Sequence, residues 1–208
     1  MGDQLAHGLP PHRNVSGVPG RHVGRTATLA NEVPAGAAAD FDFLEGRWRV
    51  RHRCLIRSEW REFDGACAMR KMLGGHANVD ESMWTTSTGT SRALSLRVFD
   101  PNRRAWSIFW LDTRLPTTFG PPVIGGFRGS HGVFLGDEQH DRQPIRVRFD
   151  WFVDTPGSCR WEQAFSFDGG ASWETNWHMH FTRDVTRHPD GEQDSWPTIL
   201  PSQGRIPR

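Results

Sequence analysis

Apolar and polar positions begin to alternate at residue 41 and continue, with interruptions, to residue 183. The opening stretch is FDFLEGRWRV, residues 41–50. Phe41, Phe43 and Leu44 read as a short apolar turn, and Gly46 allows a sharp bend into the first strand. From Arg47 the period is two. Trp48, Val50, His52, Cys54 and Ile56 share one face, and Arg47, Arg49, Arg51 and Arg53 share the other. That is a half-buried strand, predicted over 47–58, with a cationic outer face. The same reading predicts strands over 60–63, 66–72, 76–84, 91–99, 105–112, 123–128, 131–135, 145–152, 158–167 and 172–183. Asp64-Gly65, Gly74-Gly75, Asp100-Pro101-Asn102, Asp154-Thr155-Pro156-Gly157 and Asp168-Gly169-Gly170 punctuate them as turns. Residues 85–90, 114–122 and 137–144 read as loops, and Gly125-Gly126 as a turn or bulge. No helix longer than two turns is predicted. Some of these segments merge, giving about nine or ten short antiparallel strands at hairpin spacing, an all-β meander closed into a barrel.

The flanks lack this pattern. Residues 1–40 are rich in Gly, Pro, Ala, His and Arg and are expected to form a disordered leader; residues 184–208 carry four prolines and are expected to form a disordered tail. The expected barrel domain is therefore 41–183. Only 36% of residues are hydrophobic, but 10 Trp and 13 Phe supply large rings that suit a filled barrel. The net charge of +1 gives no field that would attract nucleic acid or an anionic membrane. All but one of the 25 basic residues are Arg, Lys71 being the exception, which says little about function. Cys54, Cys67 and Cys159 are odd in number and scattered, as reduced core residues would be. The leader has no apolar signal core, and no run reaches the ~18 apolar residues of a membrane span. A cytoplasmic location is the expectation.

The segments FDFLEGRWRVRHR, EFDGACAMRKMLGGHANVDE, LRVFDPNRRAWSIFWLD, IRVRFDWF and RWEQAFSFDGGASWETNWHMHFTR resemble a bacterial family of unknown function with a lipocalin-like (calycin) β-barrel. The resemblance covers residues 40–183, and WEQAFSFDGGASWE is its most specific block. It implies that Trp48, in a Gly-x-Trp on the first strand, packs at the closed end under Arg183 from the last strand. It implies no reaction and no catalytic residues. Calycin relatives include ligand carriers, haem-binding nitrobindins, and some cyclases and hydratases of secondary metabolism. His178 and His180 depart from the family pattern, which has an aliphatic residue and an acid there.

Several side chains are candidates for chemistry. His178 and His180 stand two apart on one strand face and would reach one metal together, with His131, His140, Asp150 or Glu162 as a third ligand. If Arg183 lies over Trp48, however, Trp177, Met179 and Phe181 take the inner face and both histidines point outward. No metal and no cofactor is therefore expected. His52 faces inward with Trp48 and is a candidate catalytic acid or base, or else a satisfied core histidine. Asp112 follows Trp106, Ile108 and Trp110 on one face, where a barrel mouth should be. It is a candidate proton shuttle or ligand anchor, or a strand-end cap. The candidate ligand-binding set is Trp84, Trp106, Trp110, Trp151, Trp161, Trp177, Gln163, Arg97 and Asn78, with core filling as the alternative for the rings. Gln163 alternates with Trp161 and Phe165 and is expected inside. Arg70, Asp80 and Arg148 also interrupt apolar strands and are expected to help make the cavity. The face of Arg97 is ambiguous, and if buried it needs Asp80 or Asp112 as its acid. No Ser/His/Asp order, phosphate-binding loop or Cys-x-x-Cys is present.

Three functions fit these residues. The first is binding of a small hydrophobic or aromatic metabolite in a Trp-lined barrel. The second is a cofactor-free cyclase, isomerase or dehydratase of secondary metabolism in the same pocket, with His52 and Asp112 moving protons. The third is a haem- or metal-binding, nitrobindin-like barrel. The expected partner is a small molecule rather than nucleic acid or membrane, and the pattern leaves a homodimer open.

Overall fold

A computed structural model describes residues 33–87, 89–113 and 119–185. Ten strands run in chain order around a closed antiparallel barrel: β1 (Gly46–Ile56), β2 (Glu59–Met72), β3 (Ala77–Thr86), β4 (Gly89–Asp100), β5 (Ala105–Asp112), β6 (Val123–Arg128), β7 (His131–His140), β8 (Gln143–Thr155), β9 (Ser158–Ser166) and β10 (Glu174–Arg183), which returns to pair with β1. Short 3₁₀ turns lie at Asp42–Leu44 and Leu73–Gly75. No helix among the described residues is long and apolar enough to cross a membrane. The period of two holds: Trp48, Val50, His52 and Cys54 are buried while Arg49, Arg51 and Arg53 are exposed.

One end of the barrel is shut by side chains drawn from both ends of the described chain. The Arg183 guanidinium lies 4.1 Å from the centroid of the Trp48 ring and donates to the carbonyl oxygens of Glu45 (2.6 Å), Phe43 (2.7 Å) and Pro156 (3.3 Å). Trp48 Nε1 donates to Leu44 O at 2.8 Å. Phe41 enters as a plug, edge-on to Trp106 and Phe127 at 5.2 Å each. The stack expected of a lipocalin-like barrel is thus present, and with it the outward placement of two histidines. His178 sits outside against Trp60 and 3.3 Å from Glu162, and His180 is exposed.

Four sequence readings need correction. The Asp64-Gly65 turn is a mid-strand position of β2. A Cβ at Gly65 would lie 2.6 Å from His52 Nε2, so the glycine makes room for an imidazole rather than a bend. Gly125-Gly126 is likewise strand, in β6, where a Cβ at Gly125 would lie 1.9 Å from Val133 O and one at Gly126 2.6 Å from Gly36 N. Residues 137–144 are mostly ladder, because β7 and β8 meet at a tight turn with positive φ at Asp141 (48°) and Arg142 (69°). Finally, residues 33–40 of the expected leader pack on the barrel. Gly36 N donates to Arg104 O (2.6 Å) and Trp106 Nε1 donates to Ala37 O (2.9 Å). At the other terminus Asp184 N donates to Arg47 O (2.9 Å), so backbone pairing continues one residue past the expected barrel end. The rest of the leader, 1–32, and of the tail, 186–208, lie outside the described residues.

β6 is the short strand. It pairs with β5 only at Trp106, Ser107 and Ile108, whereas β4 pairs with β5 along its whole length to Asp112. On the other side, β6 reaches only Leu135 of β7. Between residues 109–112 of β5 and 136–140 of β7 no ladder is formed among the described residues. Pro122 passes beside Gly136 there, and the Phe119 ring meets Phe109 at 6.0 Å. This stretch lies at the end away from the Phe41 plug.

Candidate functional site

Inside the barrel lies a cavity of about 20 Å³. That is room for a group the size of one water molecule. Trp110, Trp151, Trp161 and Phe149 wall one part of it, and Asp80, Arg97, Ser82 and Ser95 another, with the plug residue Leu44 at its boundary.

The polar side is built by β3 and β4. Alternation puts Asn78, Asp80, Ser82 and Trp84 on the inner face of β3, and the register sets Asn78 opposite Arg97 and Asp80 opposite Ser95. Arg97 Nη1 donates to Asn78 Oδ1 at 3.0 Å and forms an ion pair with Asp80 Oδ2. That contact is close but not aligned as a hydrogen bond, so it acts as a charge pair. Ser95 and Ser82 donate to Asp80 Oδ1 at 3.2 and 3.4 Å. Arg97 and Asp80 are 3% and 2% exposed, so neither charge is shared with solvent. The guanidinium also lies over two rings, 5.0 Å from Phe41 and 5.7 Å from Trp151. Arg97 Nε and Trp151 Nε1, both buried, have no hydrogen-bond partner.

His52 lies in a different group of rings. It stacks on Phe63 at 4.8 Å, and its Nδ1 accepts from Trp177 Nε1 at 3.3 Å; Trp84 and Trp177 pack beside it. Burial pushes its pKa down to about 3, opposed by the charge of Asp64. The imidazole is thus neutral at ordinary pH. Asp112, at the far end of β5, accepts from Trp110 Nε1 at 3.4 Å. It is not among the partners of His52, and neither residue lines the cavity. The contacts linking them run through Trp110 and Trp177, whose rings meet at 6.2 Å. The expected acid–base pair is not assembled.

The candidate ligand residues divide likewise. Trp110, Trp151, Trp161 and Arg97 line the cavity. Asn78 stands behind Arg97, Trp106 packs with Phe41 and Phe99, and Trp84 and Trp177 surround His52. Gln163 is fully buried and donates to Asn176 Oδ1 at 2.9 Å, away from the cavity lining. The sequence pattern marks Asp80 both as a polar residue of the cavity and as an acid for Arg97, and it passes over Ser82, Ser95 and Cys67. The signal is nonetheless there, since polar residues recur at every second position of β3 from Asn78 to Ser82. Burial raises the Cys67 thiol well above its usual range and pushes Cys159 up to about 12, so both stay protonated. Among the described residues no three His, Cys, Asp or Glu side chains gather as a metal-ligand set.

No family model and no curated protein matches the chain. Several solved structures resemble it. An S-type phycobiliprotein lyase from Guillardia theta matches at 10% identity, over 71% of this chain and 92% of that one, with a TM-score of 0.42. A de novo designed fluorescence-activating β-barrel matches at 14% identity, over 71% and 99%, with a TM-score of 0.40. A redesigned β-barrel bound to DFHBI matches at 12% identity, over 69% and 98%, with a TM-score of 0.40.

Proposed function

We propose that the protein binds one small aromatic molecule inside the barrel. The observation that carries this reading is the cavity between Trp110, Trp151 and Trp161, lined by two buried N–H donors without partners. A buried donor left unsatisfied costs ~1–3 kcal/mol, which a bound acceptor would recover. The ring of the ligand needs more room than the cavity offers. Trp110 provides it: it is only partly buried, and among the described residues its stretch of β5 pairs with β4 and not with β6. Proton-transfer catalysis is the weaker reading, because His52 and Asp112 are not partners. Three buried, unbridged cysteines suit a reducing compartment. Native mass spectrometry of the purified protein, with calorimetric titration of a panel of single- and two-ring aromatic compounds, tests the reading. One saturable site is expected, strengthened by Trp110→Ala. No co-purified species and no saturable binding by any compound would overturn it.

A further inference from the structure

The donors that line the cavity narrow the chemical class of its ligand. We infer that the ligand is a neutral aryl carbonyl compound, its oxygen held by Arg97 Nε and Trp151 Nε1. The inference rests on the binding function proposed above and on four observations.

First, of the three unpartnered polar atoms on residues lining the cavity, Arg97 Nε and Trp151 Nε1 are donors, and the third, Asp80 Oδ2, is held in the ion pair with Arg97. Arg97 and Trp151 line the same cavity, and the guanidinium carbon lies 5.7 Å from the Trp151 ring centroid. A ligand atom between them must accept, and an sp² oxygen with two lone pairs accepts two hydrogen bonds at once. Second, the charge there is already balanced. Arg97 is paired with Asp80, which also takes two serine hydroxyls. A carboxylate or phosphate would bring an uncompensated charge beside Asp80 into an apolar interior, which is costly. A carbonyl oxygen brings none. Third, the cavity of about 20 Å³ matches the oxygen end of such a ligand rather than the whole molecule. The aryl ring then lies toward Trp110, in the space that indole gives up. Fourth, Arg97 is held for this task. Its hydrogen bond and ion pair both run from Nη1, to Asn78 and Asp80, and leave Nε for another partner. Packing alone does not require a charge pair here, since a hydrophobic pair of similar volume would serve stability as well or better.

Acetophenone and α-methylstyrene have nearly the same shape and differ in C=O against C=CH₂, so they isolate the acceptor. Calorimetric or ligand-observed NMR titration of the full chain should show acetophenone binding at least tenfold tighter than α-methylstyrene, and tighter than benzoate. Trp151→Phe removes one donor together with part of the indole, so it is read on the ratio: the preference for acetophenone over α-methylstyrene should fall several-fold, whatever the change in absolute affinities. Arg97→Lys serves as a second variant, checked for folding by its thermal melt, and should cut it likewise. Equal binding of acetophenone and α-methylstyrene would overturn the inference and leave the aromatic pocket standing. Benzoate binding tightest would overturn the neutral class. If these three fail while other aromatics of the panel bind, the carbonyl anchor falls alone. If nothing binds, the proposed pocket falls with it.

Discussion

An imidazole that accepts a hydrogen bond at Nδ1 carries its proton on Nε2, and in His52 that nitrogen lies against the bare backbone of Gly65. Protonating Nδ1 would break the bond from Trp177 and place a charge among aromatic rings. The pKa is accordingly lowered from 6.5 to about 3. The unfolded chain binds the extra proton below pH 6.5 and the folded one only below about 3, so this residue's contribution is fully present above pH 6.5 and is lost as pH falls between those values. The slope is about 1.4 kcal/mol per pH unit for one proton. Urea unfolding of wild type between pH 4 and 6.5 should therefore show a steeper pH slope than His52→Asn, which keeps an acceptor but does not titrate. Equal slopes would mean the imidazole is solvated. At this scale the sequence is informative about direction and silent about company. Alternation shows that His52, Gln163 and the tryptophans point inward. It does not show which of them meet, because neighbours across a barrel depend on register and shear. Hence Arg97 finds Asp80 rather than Asp112, and Trp84 joins His52 rather than the cavity.

Strands are legible where side chains set them and illegible where the backbone does. β1 is readable because its Arg/apolar alternation is unbroken. The turns at Arg57-Ser58 and Asp141-Arg142 carry positive φ at both positions without a glycine, so the usual hairpin signal is missing. Gly65 and Gly125, which read as turns, are close-contact positions instead. Gly125→Ala must move Val133 O and should cost at least the ~1–3 kcal/mol of an overpacked core. Gly129→Ala, at φ 62° with open space around its Cβ, carries only backbone strain. It should cost ~1 kcal/mol. Denaturant midpoints of the two variants check the difference in cause. The seam between β1 and β10 gives a second test. Trp48→Ala should cost ~3–5 kcal/mol. Arg183→Ala should also destabilise, and the double variant should lose less than the sum, because each removes the other's stacking partner. Additive losses would show that the two residues act independently.

The barrel as a whole is closed by strands but finished by the chain that precedes them. Residues 33–44 cover one end, through Gly36, Ala37, Phe41 and Leu44. A chain starting at residue 41 loses the two hydrogen bonds of Gly36 and Ala37 that one starting at 33 keeps. It should be less stable by about 2 kcal/mol and melt ~4–8 °C lower. Identical melts would show that residues 33–40 ride on the barrel without supporting it. The same arrangement gives the molecule a polarity. Gly36 is bound to the β4–β5 turn at Arg104, and Asp184 to the start of β1 at Arg47, so the described chain begins and ends at the shut end of the barrel. Trp110 and the stretch of β5 that pairs with β4 alone among the described residues lie toward the opposite end. A tag, a fusion partner or a solid support joined at residue 33 or residue 185 is therefore attached from behind. An immobilised sensor or a tandem fusion joined at those two residues leaves the Trp110 end of the barrel facing outward.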